Sequence, residues 1–138
     1  MSSKTTTTSE FFLEVEPVPA SRPRVSKWGV FYGKRYERFR REMREVLSPF
    51  PVAPLAGPIE VSLEFIVPPA KTVKREIPRG DIDNYVKGPL DSMTSHGGFW
   101  TDDEQVVLVH ASKRYSNEGE TNGIRIRIRN CKADASAM

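Results

Sequence analysis

Six consecutive residues near the end of the chain alternate between two types. Ile124, Ile126 and Ile128 are separated by Arg125, Arg127 and Arg129. Because successive side chains of a β-strand point to opposite faces, this pattern predicts a strand with isoleucines inward and arginines outward. Such a strand needs a sheet with one covered face, so a layered fold is expected.

Other segments of the sequence predict the remaining helices and strands of a two-layer fold. Residues 36–47 place apolar side chains on one side of a 3.6-residue period, which predicts an amphipathic helix, and a second helix is predicted over residues 83–93. Strands are predicted at residues 11–16, 59–67, 105–115 and 123–129, and residues 25–32 form a small hairpin or a loop. The expected fold is α+β, with a two-layer arrangement, a mixed β-sheet and two main helices in β-α-β-α-β-β order. Pro89 would remove a hydrogen bond inside the second helix, so that helix either kinks or starts its regular part later.

The length of 138 residues fits one domain, expected over residues 10–130, with disordered tails at residues 1–9 and 131–138. The apolar runs are far shorter than the roughly 20 residues of a spanning helix, and no apolar signal core follows the start. A cytoplasmic protein is therefore expected. The single cysteine, Cys131, is given no role.

Acidic residues gather in the middle of the chain, at Asp81, Asp83, Asp91, Asp102 and Asp103, with Lys87 among them. Carboxylates placed this way repel one another unless a divalent cation lies between them or the surface is loose and solvated. On a helix, residues 83, 87 and 91 would form one stripe. Of the adjacent pair at 102 and 103, we expect one carboxylate to reach the site and the other to cap or brace the turn.

Basic residues flank this acidic segment in three clusters, which lie between residues 22 and 44, between 71 and 79, and in the last strand. A polyanion that binds the cations while one phosphodiester approaches a metal would explain both signs of charge. The alternative is that these runs are solvated faces. The candidate DNA-binding residues are Arg22, Arg24, Lys27, Lys34, Arg35, Lys74, Arg75, Arg79, Arg125 and Arg127.

Residues 81–106, DIDNYVKGPLDSMTSHGGFWTDDEQV, resemble the signature of the RusA family of Holliday-junction resolvases. The resemblance implies a Mg²⁺-dependent endonuclease of phage or prophage origin that acts as a homodimer, and Mn²⁺ is expected to substitute for Mg²⁺. It implies metal ligands at Asp81, Asp83 and Asp103, a catalytic Lys87, and supporting roles for Asn84, Asp91 and Asp102. The turn at residues 94–99 is one residue longer than the family pattern, which leaves both Asp102 and Asp103 as candidates for the third ligand.

The function expected from these features is the resolution of four-way DNA junctions by paired symmetric nicks, in recombination and repair inside a bacterial host cell. Hydrolysis of a phosphodiester needs an activated water and compensation of developing negative charge, and Mg²⁺ held by hard oxygen ligands serves both needs. Two alternatives stay open. One is a non-catalytic module that binds branched or single-stranded DNA, and the other is a metal phosphoesterase for a small nucleotide.

Overall fold

The computed structural model describes residues 8–72 and 75–131. Its elements are β1 (Thr8–Leu13), β2 (Arg24–Ser26), β3 (Gly29–Phe31), α1 (Lys34–Leu47), β4 (Ile59–Val67), α2 (Ile82–His96), the short 3₁₀-helix η1 (Asp103–Gln105), β5 (Val106–Tyr115) and β6 (Gly123–Asn130). None of the helices in these ranges has the length and apolar character needed to cross a membrane.

Four strands form the main sheet, in the order β1-β6-β4-β5. β6 is antiparallel to both of its neighbours, β1 and β4, whereas β4 and β5 are parallel. A parallel pair needs a crossover connection, and α2 lies in that connection. β2 and β3 make a separate antiparallel hairpin before α1. The predicted α+β fold with a mixed sheet is therefore confirmed, and most of residues 25–32 belong to the hairpin.

The core lies between one face of the sheet and the two helices. Alternate residues of β4 and β6 are buried, including Val61, Phe65 and Ile126, and they pack with Phe39 of α1 and Met93 of α2. The isoleucines of β6 point into this core and its arginines point away, as the alternation predicts. We call the opposite side, which carries those arginines, the open sheet face.

The second helix is continuous from Ile82 to His96 with Pro89 inside it. A helix interior normally disfavours proline because it lacks an N–H and crowds the preceding turn. Here tertiary packing outweighs that cost, since Pro89 is buried and the neighbouring Gly88 lies against α1. Gly88 allows the close approach, because a Cβ added there would lie 2.8 Å from the ring of Phe39. The helix ends at Gly97, which adopts the left-handed conformation (φ 78°).

The chain differs from the sequence prediction at its ends and at one helix position. The first strand starts earlier than predicted, because Thr8 and Ser9 of the expected tail pair with β6. Cys131, placed in the other predicted tail, is buried and its N–H donates to the carbonyl of Pro58. The remaining residues of both predicted tails lie outside the described part of the chain. Helical spacing predicts Ile82 on the side of α2 opposite Asp83 and Lys87, with the apolar residues, whereas in the structure its side chain is 37% exposed.

Candidate nuclease site

The start of α2 carries two exposed carboxylates. Asp81 is the N-cap residue, with an extended backbone and no capping hydrogen bond from its side chain, and Asp83 lies in the first turn. Carboxylates at this end interact favourably with the helix dipole, so the helix alone gives them a structural use. The free side chain of Asp81 is nevertheless available to a cation, because the backbone carbonyl and not the carboxylate contacts the helix.

The loop before this helix is held by hydrogen bonds to its backbone carbonyls. The hydroxyl of Tyr85 donates to the carbonyl of Arg79 at 2.6 Å, and the ammonium of Lys113 donates to the carbonyls of Pro78 and Gly80. Gly80 adopts φ 102°, a conformation that other residues rarely take. These contacts fix the direction in which the chain enters α2 and therefore the position of Asp81.

Lys87 follows Asp83 by one helical turn and is exposed. Its ammonium lies 3.8 Å from the carboxylate of Asp91, a distance at the limit of an ion pair, and both side chains are about half exposed. Such a pair contributes about 0.3 to 0.5 kcal/mol, so it leaves Lys87 free to reach a phosphate. Asn84 follows Asp83 in the chain. Its backbone carbonyl oxygen accepts a hydrogen bond from the N–H of Ala20, with an N···O distance of 2.8 Å.

The adjacent acids at 102 and 103 have different surroundings. Asp102 caps η1, because its carboxylate accepts a hydrogen bond from the N–H of Glu104 at 3.0 Å. The side chain of Gln105 completes the turn by accepting from the N–H of Asp102 and donating to the carbonyl of Leu55. Asp103 is exposed and its side chain takes no part in this capping. One member of the pair therefore braces the turn, as expected, and Asp103 is the one left available.

The third predicted ligand lies at the other end of the sheet edge. Lys113, near the end of β5, contacts Gly80 beside Asp81, whereas Asp103 precedes the first residue of β5. The strand between Val106 and Lys113 spans roughly 23 Å at about 3.3 Å per residue. Within residues 8–72 and 75–131, no three or more His, Cys, Asp or Glu side chains form a group that could hold a metal ion. A single chain thus presents Asp81 and Asp83 at one place and Asp103 at another.

A cleft of about 500 Å³ opens beside the start of α2. Its basic side chains are Arg35, Lys71, Arg75 and Arg79, and we refer to these four as the basic cleft. Arg35 pairs with Glu16 at 2.7 Å, while the other three form no ion pair with a carboxylate in the described ranges. The cleft therefore concentrates positive charge next to Asp81, which is the arrangement that attracts a phosphate backbone.

The β2–β3 hairpin extends this basic surface. Its base is joined to α1 by a hydrogen bond from the N–H of Gly33 to the hydroxyl of Ser21, at 3.1 Å. Lys27 is exposed and lies 5.0 Å from the ring centre of Trp28, which is itself 78% exposed. Arg22 and Lys34 are also exposed at the two ends of the hairpin. The predicted contributions of the Arg24 side chain and of Lys74 lie outside the described part of the chain.

The arginines of the open sheet face have carboxylate partners. Arg125 pairs with Glu64 at 2.8 Å, and Arg127 pairs with Glu10 at 3.3 Å. Arg129 binds Glu60, and this hydrogen bond lowers the pKa of the Glu60 carboxyl. Binding of DNA by these arginines would require the ion pairs to be broken or shared. Their prediction as DNA ligands stays untested, and the pairing gives them a structural use that the alternation alone did not reveal.

The two histidines, His96 and His110, have hydrogen-bond partners within the chain. The N–H of Gly98 donates to Nδ1 of His96 at 3.0 Å, so Nε2 carries the hydrogen and donates to the carbonyl of Phe50 at 3.1 Å. Nε2 of His110 lies 2.7 Å from the carboxylate of Glu60. Trp100 is fully buried, with its indole N–H donating to Thr94.

The sequence prediction missed Lys113 as part of the site. In the sheet this residue is opposite Phe65, on the helix-covered side, where a lysine needs polar partners, and it finds them in the loop at residues 78–80. The sequence does contain a signal for this role. Lys113 belongs to the same alternate set of β5 residues as Val109 and Ala111, which lie opposite buried residues of β4. Only the parallel pairing of β4 and β5 shows that this series faces the helices.

A comparison with protein-family models gives a match to the RusA endodeoxyribonuclease model over residues 14–129. The matched region includes all the elements from α1 to β5, together with both acidic positions at the start of α2. The chain belongs to the RusA endodeoxyribonuclease family. No curated protein matches the sequence at a significant level.

Membership in the RusA family identifies the chain as a nuclease with DNA as its substrate. The family match covers most of the chain, so the basic cleft, the start of α2 and η1 all belong to the nuclease domain.

Proposed function

We propose that the protein is a Mg²⁺-dependent, structure-selective endodeoxyribonuclease that resolves four-way DNA junctions by paired symmetric nicks. The family match over residues 14–129 is the observation that carries this proposal. The process served would be recombination and repair of DNA in the cytoplasm of a bacterial host, with the gene of phage or prophage origin. Products would end in 5′-phosphate and 3′-hydroxyl groups.

The donor set at the start of α2 fits Mg²⁺ in its chemistry. Asp81 and Asp83 offer exposed carboxylate oxygens, the hard ligands that this ion prefers, and Mn²⁺ would accept the same ligands. Asp103 is proposed as the third ligand, because Asp102 is engaged in capping η1. When bound, the ion would supply an activated water and compensation for negative charge at the phosphorus centre.

The chain's own residues would position the DNA. The basic cleft binds the phosphates that flank the cut, and Lys87 neutralises charge on the scissile phosphate after releasing its weak contact with Asp91. Asn84 and Asp91 act as supporting residues, the first beside Asp83 and the second by orienting Lys87. The backbone hydrogen bonds around Arg79 and Gly80 keep the cleft aligned with the two aspartates.

A homodimer is part of the proposal for two reasons. Paired cuts in strands related by twofold symmetry require two equivalent sites, which a symmetric dimer provides. In addition, the described residues of one chain do not bring three carboxylates into a metal-binding group, so we propose that Asp103 acts together with Asp81 and Asp83 of a second copy.

The test is cleavage of a labelled synthetic junction in the presence of Mg²⁺. We expect paired symmetric nicks from the wild-type protein and a loss of at least about 10²-fold in rate for Asp83→Asn, with junction binding retained. Glu118→Gln serves as the matched control, because Glu118 is an exposed carboxylate in the turn between β5 and β6. Unchanged cutting by Asp83→Asn would contradict the assignment of the site. Binding without any metal-dependent cutting would instead favour the non-catalytic DNA-binding module.

A further inference from the structure

The tip of the β2–β3 hairpin carries a tryptophan that the fold leaves exposed. Lys27 and Trp28 form the two-residue connection between Ser26 and Gly29, which are paired across the hairpin. Turn positions favour glycine, proline and small polar residues, because these adopt the required backbone conformations most easily. A large aromatic side chain is therefore not needed to form this turn, and its presence calls for another explanation.

Packing inside the chain does not supply that explanation. Trp28 is 78% exposed and Val25, in the first strand of the hairpin, is 80% exposed. These are the two most exposed large apolar side chains in the described ranges, whereas Trp100, the other tryptophan, is fully buried. The hairpin is a separate two-stranded sheet, and it pairs with none of the strands of the main sheet. Apolar surface presented in this way, among polar residues, is typical of a site that contacts a partner.

The segment that contains the tip is basic. Residues 17–36 contain no Asp or Glu, and their cationic residues are Arg22, Arg24, Lys27, Lys34 and Arg35. The ammonium of Lys27 lies 5.0 Å from the centre of the Trp28 ring. Proteins bind unpaired nucleic acid with this combination, since the cations bind phosphates and the ring stacks on a base. The chemistry of the tip therefore fits DNA, the substrate of the family.

The base of the hairpin is fixed beside the acidic start of α2. The N–H of Ala20 donates to the carbonyl of Asn84 at 2.8 Å, and the N–H of Gly33 donates to the hydroxyl of Ser21 at 3.1 Å. Both ends of the hairpin thus meet next to the first turn of α2. Trp28 precedes Gly33 by five residues, so their Cα atoms are at most about 18 Å apart. That distance corresponds to roughly five nucleotides of one strand, at about 3.4 Å each.

We propose that Trp28 selects branched DNA by stacking on a base that a branch point exposes, while Lys27 binds a neighbouring phosphate. This inference rests on the proposed function, since it takes the four-way junction as the substrate. The position of the hairpin would place the ring at the branch while a phosphate a few nucleotides away lies at the start of α2.

The physical basis of this selectivity is the cost of opening a base stack. In a continuous duplex each base is covered by its neighbours, so a ring can enter only after a step is unstacked, which costs free energy. At a branch point the stack is already interrupted, and the same ring binds without that cost. Every base has an aromatic face, so stacking tolerates all sequences. Trp28 would therefore confer selectivity for structure and not for sequence.

The first test compares binding to branched and continuous DNA after divalent cations have been chelated. We expect Trp28→Ala to lower affinity for a labelled four-way junction by at least about fivefold, and for a duplex of equal length by less than about twofold. Trp28→Phe should retain most of the junction affinity, because its ring still stacks. Val52→Ala is the matched control, because Val52 is 69% exposed and lies outside the hairpin. Equal losses on both DNAs, or no loss on the junction, would overturn the proposal.

Fluorescence reports the stacking itself, because the two tryptophans of the chain have opposite environments. Stacking of an indole ring on a base quenches its emission. We expect the junction to quench the emission of the wild type, and Trp28→Phe, which retains only the buried Trp100, to show no quenching. Wild-type emission unchanged at a saturating junction concentration, or quenching that persists in Trp28→Phe, would overturn the proposal.

The role of Lys27 has its own test. Lys27→Ala should reduce the slope of log affinity against log salt concentration by about 1, because one phosphate contact is lost. Since phosphates are present in every DNA, the reduction should be the same for the junction and the duplex. An unchanged slope would overturn the assignment of Lys27 to a phosphate.

A second copy of the chain is the rival occupant of the exposed ring. Sedimentation without DNA tests it, and we expect Trp28→Ala and the wild type to have the same mass. A smaller mass for Trp28→Ala would show that the ring contacts protein, and it would overturn the proposal.

Cleavage of a junction by the wild type with Mg²⁺ separates this inference from the proposed function. Cleavage without quenching of Trp28 would remove the stacking role and leave the nuclease intact. Junction binding that depends on Trp28, together with a wild type that cuts no DNA, would support the stacking role and remove the resolvase function.

Discussion

On the open sheet face, the arginines of β6 each bind a carboxylate of a neighbouring strand, whereas the basic cleft beside α2 contains one ion pair, that between Arg35 and Glu16, among the described residues. Both surfaces are basic in the sequence. Their cations differ in availability, because a paired arginine must give up its carboxylate before it binds a phosphate, and an unpaired one need not. Charge counts along a chain therefore overestimate the surface that can bind DNA.

The two regions also differ in the interactions that stabilise them. The open sheet face is joined by ion pairs, which salt screens. The loop before α2 is held by hydrogen bonds to its carbonyls, two of which come from the hydroxyls of Tyr85 and Tyr115. Four sets of substitutions test the availability of the cations and the kind of interaction that stabilises each region.

The largest difference is expected in DNA affinity. Arg75→Ala/Arg79→Ala should reduce the slope of log affinity against log salt concentration by roughly 2, because two phosphate contacts are lost. Arg125→Ala/Arg127→Ala is the matched double variant on the open sheet face, and its slope should change by less than about 0.5. Binding to a labelled junction at several salt concentrations measures both. Equal losses for the two variants would mean that ion pairing does not decide which arginines bind DNA.

A smaller effect, on stability, is expected from the loop before α2. Tyr85→Phe removes the hydrogen bond to the carbonyl of Arg79 and should lower the free energy of unfolding by about 1 kcal/mol. Because this hydrogen bond is between neutral groups, the loss should be the same at low and high salt. Urea unfolding at two salt concentrations measures it, and a loss that disappears in high salt would contradict the assignment.

The ion pairs of the open sheet face should respond in the opposite way. Glu64 binds both Arg114 and Arg125, so Glu64→Gln leaves two arginines with weaker partners. These side chains are about one-third to one-half exposed, and the expected loss is about 0.5 to 1 kcal/mol at low salt. The same unfolding experiment should show this loss decreasing at a salt concentration of about 1 M. A loss independent of salt would show that packing and not charge is responsible.

The smallest effect concerns acid stability. Hydrogen bonds from Arg114 lower the pKa of Glu120 to about 2 from an ordinary value of 4.5. The folded state therefore binds fewer protons than the unfolded state, and this contribution is complete above pH 4.5 and is lost as the pH falls toward about 2. Glu120→Gln should flatten the decrease in stability over that range and leave the pH dependence above about 6 unchanged. An acid limb identical to that of the wild type would show that Glu120 titrates normally.

The elements of the sheet and helices were largely predictable because their signals are local. The alternation in β6, the 3.6-residue period of α1 and the turns around β4 each depend on neighbours in the chain. The sequence predictions were wrong or undecided where contacts between residues far apart in the chain determine the bounds and course of an element. Pairing with β6 moved the start of β1 to Thr8, and α2 continues through Pro89, which is buried in the folded chain.

The candidate site likewise has features that depend on local sequence and features that depend on contacts between distant segments. The expectation that one of the two adjacent aspartates would cap the turn was confirmed, since Asp102 does so and Asp103 does not. The placement of Asp103 relative to Asp81 could not be read from spacing, because it depends on the direction of β5 beside β4. The partners of Arg125 and Arg127 were equally out of reach, since Glu64 and Glu10 belong to other strands.

The sequence by itself determined the family motif, the strand and helix periods, and the residues with nuclease chemistry, because each of these is a property of side-chain type and local spacing. Within the described residues, the tertiary structure alone decided which cations remain available and which carboxylates share an end of the sheet. Those properties arise from contacts between segments far apart in the chain, whose directions and registers are set by burial of the common core.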